Sequence, residues 1–462
     1  MLPKPDSCVG CPLYGNGRGF VPDEIVDGAE VMVVGQNPGE QEEAQGRPFV
    51  GATGKVMEQG FFPLAGLERG KVSIGNAIRC RWKKSNLLPP LGTAAKVAEQ
   101  ALAHCKQAHL RIPESTRLVV AQGDYALTSL TGERGITGWR GWLVPQLRAG
   151  SPRHTLTEVY EPTKGARGPE APVLTVMHLA SLFHDPALRI PMQADWRKVA
   201  RFLAGTWPLR VPPIDTDPPK KWPPVCAFDT EYQPDGVCPG QDKLIRVSLA
   251  TPNRHVYVVE ARDVLRYKYR LTSPVQVLMQ NAPSDLGFLS DLVDLNKVRE
   301  EDTMLAHSVL WQGASDSDDE AGSKARGLPH SLDFLASLYG SVNRTKHLSV
   351  LNPIVYSGMD ALLTLDSWRG IYGELERDPE SKWIYEHCVR PLARIIWRAR
   401  QHGLLVNQDR VTSVVKELKV RTQEATLQAQ AAVGWPINLG SSQQVSNWLF
   451  NIEGLKAPRT RR

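Results

Sequence analysis

Four acidic residues in the second half of the chain have a spacing that suits a pair of metal ions. Asp229 and Glu231 stand at i and i+2 in an apolar run that predicts a strand, so both side chains leave the same face. Asp285 follows a second predicted strand, and Tyr356 and Asp360 stand at i and i+4, adjacent on one helical face. Carboxylates on one surface repel one another unless cations neutralise them, so the pattern predicts two Mg²⁺ or Mn²⁺ ions held by these four acids.

Four cysteines in the first half of the chain form a second set with metal-binding chemistry. Cys8 and Cys11 make a CxxC pair, and Cys80 and Cys105 follow after 68 and 24 intervening residues. Seven cysteines scattered over 462 residues are not typical of a secreted disulfide framework. By spacing alone, the four thiols could be buried separately or could bind zinc.

Short apolar runs alternate with helical patterns in the first 208 residues, which is typical of a sheet buried on both faces. The clearest helix is predicted from Ala94 to about Leu110, with Thr93 as its N-cap. The predicted strands are residues 31–34, 72–74, 118–121 and 173–176. The polar or glycine-rich segments that follow them are residues 35–39, 75–76, 123–124 and His178. Ligands bind beyond the carboxyl ends of such strands, so the four segments should line one crevice.

Two breaks divide the chain into three predicted domains. Residues 210–224 contain six prolines, which prevent helix formation and favour an extended linker. The second break lies near Arg390. We therefore expect domains at 1–208, 225–389 and 390–462, with a linker at 209–224 and a polar surface insertion at 313–327.

The net charge of +6 is unevenly distributed. Residues 1–208 carry +5, residues 209–389 carry −7 and residues 390–462 carry +8. Basic blocks suit the phosphate backbone of a nucleic acid and an acidic block suits cations, although solvated faces can also differ in charge by chance. No apolar run approaches the roughly 18 residues of a membrane span, and the first residues lack the regions of a signal peptide. We therefore expect a cytoplasmic protein without membrane contact.

The first domain carries several motifs in the order of a known enzyme family. The segments 8–13, 35–51 and 76–81, with Cys105 ahead of residues 118–123, resemble the iron-sulfur uracil-DNA glycosylases over about residues 8–200. The resemblance implies a three-layer α/β/α uracil-DNA glycosylase-like fold. It also implies a [4Fe-4S] cluster on Cys8, Cys11, Cys80 and Cys105, with zinc or no metal as the alternatives.

The same resemblance implies roles for residues of the crevice. A base to be excised must leave its stack, be read on its hydrogen-bonding edge and depart with its developing negative charge stabilised. By the resemblance, Phe49 stacks on the uracil, Asn76 distinguishes it from cytosine and His178 contacts the departing uracil oxygen.

The sequence also departs from the iron-sulfur family. Gln36-Asn37 replaces the usual Glu-Ala and resembles the corresponding motif of mismatch-type and single-strand-selective glycosylases. This second resemblance implies that Asn37 positions the attacking water and that Gln36 belongs to the uracil pocket. Glu42 matches an acidic pocket position and is a possible partner of that water. Leu179 and Trp82 stand where prolines are usual. These departures leave open a second hypothesis, in which the domain is a non-catalytic module that binds DNA or senses uracil.

The acidic motifs of the second domain, in their order along the chain, resemble the DEDDy class of 3′-5′ exonucleases. With residues 301–305 and 328–335, they are similar to the proofreading domain of family A DNA polymerases. The resemblance implies a ribonuclease H-like α/β fold and a hydrolytic site in which Asp229, Glu231, Asp285 and Asp360 hold the two metal ions. Tyr356 would orient the attacking water, and the substrate would be a single-stranded or frayed 3′ end of DNA, including DNA that contains uracil.

The last segment resembles the helical start of a family A polymerase thumb, on residues 390–407 and 437–450, with a helix predicted at 411–433. Nothing corresponds to the palm and fingers, so we expect no polymerase activity from this chain alone. A separate chain that carries them, a split gene or a truncated reading frame would each explain the end. The whole arrangement is similar to the amino-terminal part of bacteriophage family A polymerases, which would place the protein in the cytoplasm of a bacterial host.

Overall fold

The computed structural model describes residues 3–15, 19–82, 88–92, 96–147, 156–217, 219, 221, 223–234, 242–267, 275–311 and 328–456. The predicted N-cap Thr93 and the predicted insertion at 313–327 lie outside these ranges. The chain divides into two compact units, residues 1–400 and residues 401–462. Within the first unit, we call residues 1–208 the first domain and residues 209–400 the second domain.

The first domain is built on a five-stranded sheet with the strand order β2-β1-β3-β5-β4. Its strands are β1 (Val31–Gly35), β2 (Val72–Asn76), β3 (Leu118–Gln122), β4 (Leu143–Val144) and β5 (Val173–Val176). The pairing is parallel except between β4 and β5. Every residue of the five strands is buried, as expected for β-branched runs in a sheet covered on both faces. The four strands predicted from apolar runs are thus all present.

Helices cover both faces of this sheet. They are α1 (Glu40–Gln45), α2 (Ala52–Val56), α3 (Lys96–Ala108), α4 (Asp124–Thr131), α5 (Ile136–Trp139) and α6 (Arg189–Leu203). Alternate side chains of β1 enter different cores, because successive strand residues point to opposite faces. Val31 and Val33 pack in the cluster that contains Trp196 of α6, whereas Met32 packs with Leu102 of α3.

The second domain has a mixed six-stranded sheet with the order β11-β10-β7-β8-β9-β6. Its strands are β6 (Ile214–Asp215), β7 (Val225–Gln233), β8 (Lys243–Ala250), β9 (Val256–Glu260), β10 (Gln276–Met279) and β11 (Arg299–Asp302). Its helices are α7 (Ala261–Tyr267), α8 (Ala282–Leu292), α9 (Thr303–Leu310), α10 (Leu332–Tyr339), α11 (Leu348–Leu351), α12 (Pro353–Leu375), α13 (Pro379–Ile384) and α14 (Arg390–His402). The long helix α12 packs across β7, β8 and β9 and buries one face of the sheet.

The proline-rich segment predicted as a linker is extended, but it is docked rather than free. Its strand β6 pairs in parallel with β9 and forms the edge of the second sheet. The amide of Leu209 donates to the Ser341 carbonyl at 2.7 Å, and the amide of Val211 donates to the Glu161 carboxylate at 2.9 Å. A segment without helix-forming residues can still satisfy its backbone groups by joining a sheet edge.

The first compact unit extends ten residues past the predicted boundary at Arg390. On α14, Ala393 is buried and Arg394 donates to the Glu300 carboxylate at 2.5 Å and to the Leu295 carbonyl at 2.8 Å. This cationic helix is therefore attached to the acidic second domain by charge as well as by packing.

The second compact unit is helical, with α15 (Gln408–Val433) and α16 (Ser442–Ser446). The Asn407 side chain caps α15 by accepting from the Arg410 amide at 2.9 Å, and Gly434 ends it at a φ of +79°. The helix predicted at 411–433 is present and starts three residues earlier. Within the described part of the chain, every helix is too short or too polar to cross a lipid bilayer.

A buried ionic cluster joins the two domains. Arg140, which follows α5, donates to both carboxylate oxygens of Asp195 on α6 at 2.5 and 2.9 Å. The same guanidinium donates to the hydroxyl of Ser337 on α10 at 2.7 Å. The Lys198 ammonium donates to the carbonyls of Gly141 and Ser337 at 2.6 and 2.9 Å. Buried charges need such complete pairing, so the cluster fixes α10 against the first domain.

Replacing Arg140 by Met should therefore destabilise the protein strongly. The substitution removes the bidentate partner of a carboxylate that has no exposed surface, and the expected loss is about 3 kcal/mol or more in the free energy of unfolding in urea. Arg117→Met is the control, because the Arg117–Glu30 pair is partly exposed and should contribute at most about 1 kcal/mol. Equal, small losses for both variants would contradict this account of the interface.

Candidate functional site

Three residues predicted for the crevice meet at the carboxyl end of β1. A Cβ atom added to Gly35 would lie 2.5 Å from Cζ of Phe49 and 2.6 Å from Oδ1 of Asn76, so only glycine fits between them. The Phe49 ring also faces the His178 ring, with centroids 6.5 Å apart and planes inclined by 30°. Phe49, Asn76 and His178 come from three separate segments and form one pocket.

Phe49 is held in an unusual backbone conformation by a side chain that the sequence did not indicate. Its φ is +51°, which is rare for a bulky residue. Arg69 donates to the carbonyl of Phe49 at 2.9 Å and to that of Pro48 at 2.7 Å. The Arg69 guanidinium is itself paired with Glu24 at 2.7 Å and Glu58 at 2.5 Å. This network fixes the aromatic ring over Gly35.

Asn76 is fixed by a buried ion pair. Arg79, which is 1% exposed, donates to the Asn76 carbonyl and to the Asp23 carboxylate, the latter at 2.5 Å. Asp23 also accepts from the Asn76 amide, and a Cβ on Gly75 would lie 2.1 Å from Asp23 Oδ1. Because the Asn76 backbone is held on both sides, the side-chain amide of Asn76 can present a fixed hydrogen-bonding edge to the pocket.

His178 is neutral over the ordinary pH range. Burial lowers the pKa of its imidazole to about 4. Its Nδ1 accepts from the Ala180 amide at 3.3 Å, which places the ring proton on Nε2. The remaining nitrogen is therefore a hydrogen-bond donor without a formal charge.

The side chains of the other predicted pocket residues contact the backbone of neighbouring segments. Gln36 covers Gly123 at the end of β3, where an added Cβ would lie 2.6 Å from its Nε2. The Asn37 amide donates to the Pro38 carbonyl at 3.0 Å. The two carboxylate oxygens of Glu42 accept from the amides of Gly39 and Gly51 at 3.1 and 2.9 Å. Glu42 thus ties the end of β1 to the segment that carries Phe49.

The four cysteines of the first domain are reduced, buried and close enough to influence one another. They are Cys8, Cys11, Cys80 and Cys105. Burial, with a smaller contribution from the neighbouring thiols, raises the pKa of the Cys80 thiol to about 12 and that of Cys105 to about 11. Within the described ranges, no three of these sulfurs lie within 4.8 Å of one another.

Two residues that sequence reasoning missed lie against these thiols. His109 Nε2 is 3.2 Å from Cys8 Sγ, and the Arg79 amide donates to the Cys105 sulfur. Arg79 therefore links the cysteine set to the pocket, because its backbone amide contacts Cys105 and its guanidinium holds Asn76. A lone histidine and a lone arginine carry no spacing signal, so the sequence could not single them out.

A separate acidic centre lies in the second domain. Carboxylate oxygens of Asp229 and Glu231 on β7 and of Asp360 on α12 all lie within 4.8 Å of one another. Asp285 on α8 is buried and close enough to raise the pKa of Asp229. The Tyr356 hydroxyl donates to the Asp360 carboxylate, as the i, i+4 spacing on α12 predicts. The structure therefore brings all five predicted residues together.

This centre is electrostatically strained without cations. Burial raises the pKa of Asp285 and of Asp360 to about 7, and the hydrogen bond from Tyr356 and the Lys346 ammonium oppose the change at Asp360. Burial and then Asp285 and Asp360 raise the pKa of Asp229. Hard oxygen ligands at this density fit Mg²⁺ or Mn²⁺, whose charge would favour the ionised carboxylates.

Neutral side chains orient the carboxylates of the acidic centre. Asp285 accepts from the Thr230 and Ser284 hydroxyls, the latter at 3.0 Å. Ser357 donates to Glu231 at 3.4 Å. Asp302, 1% exposed, accepts from the Ala282 amide at 2.7 Å and so fixes the start of α8, which carries Asp285. These supporting residues are common types in ordinary positions, and the sequence alone could not assign them.

Comparison with known proteins supports a specific family for the first domain. Residues 22–200 match the family model of the Uracil DNA glycosylase superfamily. The type-4 uracil-DNA glycosylase of Archaeoglobus fulgidus is 26% identical over 204 residues, which cover 44% of this chain and 91% of that protein. The corresponding protein of Saccharolobus solfataricus is 27% identical over 200 residues, 43% of this chain and 82% of that protein. The chain thus contains a uracil-DNA glycosylase superfamily domain in its first 200 or so residues.

A shorter match has a higher sequence identity. The type-4 uracil-DNA glycosylase of Sulfurisphaera tokodaii is 47% identical over 75 residues, which cover 16% of this chain and 34% of that protein. Among solved structures, the POL domain of Pol1 from M. smegmatis, in complex with DNA primer-template and dNTP, aligns with 51% of this chain and 38% of its own. That alignment has a TM-score of 0.33 and 17% identity, which is below the level that indicates a shared fold.

The ring of His178 should remain neutral until the pH falls to about 4. Its lowered pKa means that the Cε1 proton resonance stays constant from pH 8 to below the usual imidazole pKa of 6.5 and shifts only around pH 4. The measurement is a pH titration by NMR, with the resonance assigned by its loss in His178→Gln. A midpoint near 6.5 would show that the ring is solvated and that the pocket is not built as described.

Proposed function

We propose that the first domain excises uracil from DNA. The observation that carries the proposal is that Phe49 meets Asn76 around Gly35 and faces the His178 ring, in a domain of the uracil-DNA glycosylase superfamily. The pocket offers an aromatic face for stacking, an amide for reading a base edge and a neutral donor. These are the groups that N-glycosidic bond cleavage requires once a base has left its stack.

Each residue of the pocket has a distinct part in this reaction. The Phe49 ring binds the flipped base by stacking, and the fixed Asn76 amide both donates to and accepts from the base edge. The Nε2–H of His178 donates to the oxygen of the departing base and stabilises its negative charge. Asn37 is the proposed side chain for orienting the water, and Gln36 closes the pocket beside Gly123.

The four buried cysteines are the proposed ligands of a [4Fe-4S] cluster. Thiolates are the ligands that such clusters use. A bound [4Fe-4S] cluster would supply structural cross-linking between Cys8, Cys11, Cys80 and Cys105. Arg79 would carry that rigidity to Asn76, because it contacts both the cysteine set and the pocket.

Uracil excision can be measured without interference from the second site. With EDTA present, the protein should release uracil from a single-stranded oligonucleotide, leaving an abasic site that alkali cleaves. Asn76→Ala should lower the rate about a hundredfold, because the base edge loses its buried partner. Asn296→Ala is the matched control, since Asn296 is exposed and lies in the other domain.

The outcome for the unsubstituted protein separates the two hypotheses for this domain. The engagement of both Glu42 oxygens with backbone amides favours the alternative of a non-catalytic module that binds DNA or senses uracil. Binding of the oligonucleotide without scission, by protein whose four cysteines hold their metal, would contradict catalysis and support that alternative.

We further propose that the second domain is a metal-dependent 3′-5′ exonuclease of the DEDDy class. The observation that carries this proposal is the packing of Asp229, Glu231 and Asp360 oxygens within 4.8 Å, with Asp285 beside them. Two divalent ions bound there would activate the attacking water and stabilise the leaving 3′ oxygen. The Thr230, Ser284 and Ser357 hydroxyls orient the carboxylates that would hold the ions, and the Tyr356 hydroxyl lies beside Asp360.

Asp229→Ala should abolish Mg²⁺-dependent digestion of single-stranded DNA from its 3′ end. The loss of one of the four proposed metal-binding carboxylates is expected to lower the rate by about a thousandfold or more. Asp291→Ala is the control, because Asp291 is an exposed acid of the same domain. Release of labelled mononucleotides is measured with Mg²⁺ and with EDTA. Digestion by Asp229→Ala at the rate of the control would place the active site elsewhere.

Together these activities fit a protein of DNA replication or repair. The assignment of residues 390–462 as the start of a family A polymerase thumb stays a prediction from sequence. It is supported by the helical character of α14 to α16. The basic charge of this segment suits contact with a DNA backbone.

A further inference from the structure

A cavity of about 280 Å³ lies beside the acidic centre, where the two domains meet. Tyr356 and Asp360 line one side of it, Lys346 and Asp333 line another, and Trp142 of the first domain lines a third. Trp142 is 2% exposed and belongs to a buried cluster made mainly of second-domain side chains. The first domain therefore supplies part of the wall of a space that opens next to the predicted metal ligands.

The loop that carries Lys346 is tied to the first domain before that residue. The Asn343 amide group donates to the carbonyls of Leu143 and Tyr160 at 2.9 and 3.0 Å, and its oxygen accepts from the Leu143 amide at 3.0 Å. Leu143 begins β4, the edge strand of the first sheet. Asn343, 2% exposed, thus completes the backbone pairing of that edge.

Two further side chains of this loop, one before and one after Lys346, also contact the first domain. The Arg344 guanidinium lies 4.2 Å from the centroid of the Trp139 ring. His347 Nε2 donates to the Glu158 carbonyl at 2.9 Å. Between these contacts, Thr345 and Lys346 line the cavity beside the acidic centre, and Lys346 is the charged one of the two.

Lys346 is an exposed cation directed at the acidic centre. Its Nζ lies 5.8 Å from the centroid of the Tyr356 ring, and its charge acts on Asp360. Within the described ranges, no carboxylate pairs with it at ion-pair distance. A DNA strand approaching four carboxylates is repelled unless positive charge faces its phosphates, and a lysine at the rim supplies that charge.

We propose that Lys346 binds a backbone phosphate of the DNA strand that enters the acidic centre, and that the first domain holds Lys346 in place through Asn343, Arg344 and His347. The inference rests on the proposed exonuclease function and adds a DNA-binding residue and an interdomain dependence to it. The glycosylase-type domain is then a structural component of the exonuclease site as well as a domain with its own chemistry.

The first test compares variants of Lys346 in the full chain. Lys346→Ala should raise the KM for single-stranded DNA about tenfold, leave kcat nearly unchanged and weaken the dependence of KM on salt, because one phosphate contact is lost. Lys346→Arg should restore most of the binding. Lys297→Ala is the matched control, since Lys297 is an exposed lysine of the same domain, 73% of whose side chain is accessible.

The second test addresses the role of the first domain. Asn343→Ala should raise KM in the same direction as Lys346→Ala, and the double variant should be no worse than the poorer single variant, because both changes remove one contact. Melting curves identify any global loss of folding. Binding of a fluorescent oligonucleotide in Ca²⁺, followed by anisotropy, reports the contact without turnover.

The outcomes distinguish the inference from the function on which it rests. Normal KM and normal anisotropy for Lys346→Ala, in a protein that digests DNA with Mg²⁺, would overturn the role of Lys346 alone. Additive effects of Asn343→Ala and Lys346→Ala would overturn the interdomain positioning. Absence of Mg²⁺-dependent digestion by the unsubstituted protein would overturn the exonuclease proposal itself.

Discussion

The buried pairing of Arg140 with Asp195 holds three parts of the molecule in one arrangement. Arg140 leads into the edge strand β4, Asp195 lies on α6, and the Ser337 hydroxyl that completes the guanidinium's bonding lies on α10 of the second domain. Charges removed from water cost several kcal/mol unless their partners are in place, so small displacements of either domain are disfavoured. Lys198 reinforces the joint, although burial lowers its pKa to about 7. The relative position of the two sheets, and hence of the cavity lined by Trp142, depends on this cluster.

The two sites differ in the charge of the groups that form them. Both are built on a β-sheet and completed by residues distant in the chain: the pocket lies at the end of β1, and the acidic centre lies on β7 and is completed by α8 and α12. The pocket around Gly35 consists of neutral groups, and burial keeps His178 neutral so that its proton can stabilise charge that appears during a reaction. The acidic centre buries several carboxylates side by side; burial first, and neighbouring carboxylates in addition, raise the pKa of Asp285 and Asp360, and the centre favours cations. Each arrangement is costly for stability and useful for chemistry.

Much of this organisation could be predicted from local sequence patterns. Runs of β-branched residues indicated the buried strands, and the i, i+2 and i, i+4 spacings indicated that Asp229 with Glu231 and Tyr356 with Asp360 would share faces. Strand ends indicated where Asn76 and His178 would lie. These predictions succeeded because they depend on backbone periodicity, which neighbouring residues determine.

The parts that could not be predicted depend on contacts between residues distant in the chain. Arg69 reaches Glu24 across 45 positions to hold the Phe49 loop, and Asn343 reaches Leu143 across 200 positions. The pairing of β6 with β9 could not be predicted either, because the composition of a proline-rich segment indicates only a free linker. Such contacts follow from tertiary packing, for which a single sequence carries no periodic signal.

The most direct test of the central claim, that one chain holds a thiolate-bound cluster and a carboxylate-bound metal pair, is elemental analysis. Protein purified without oxygen and equilibrated with Mn²⁺ should contain about four iron and two manganese atoms per chain after excess metal is removed. Retention of a single zinc atom in place of iron would contradict the assignment of the cysteines, and absence of bound manganese would contradict the assignment of the four carboxylates.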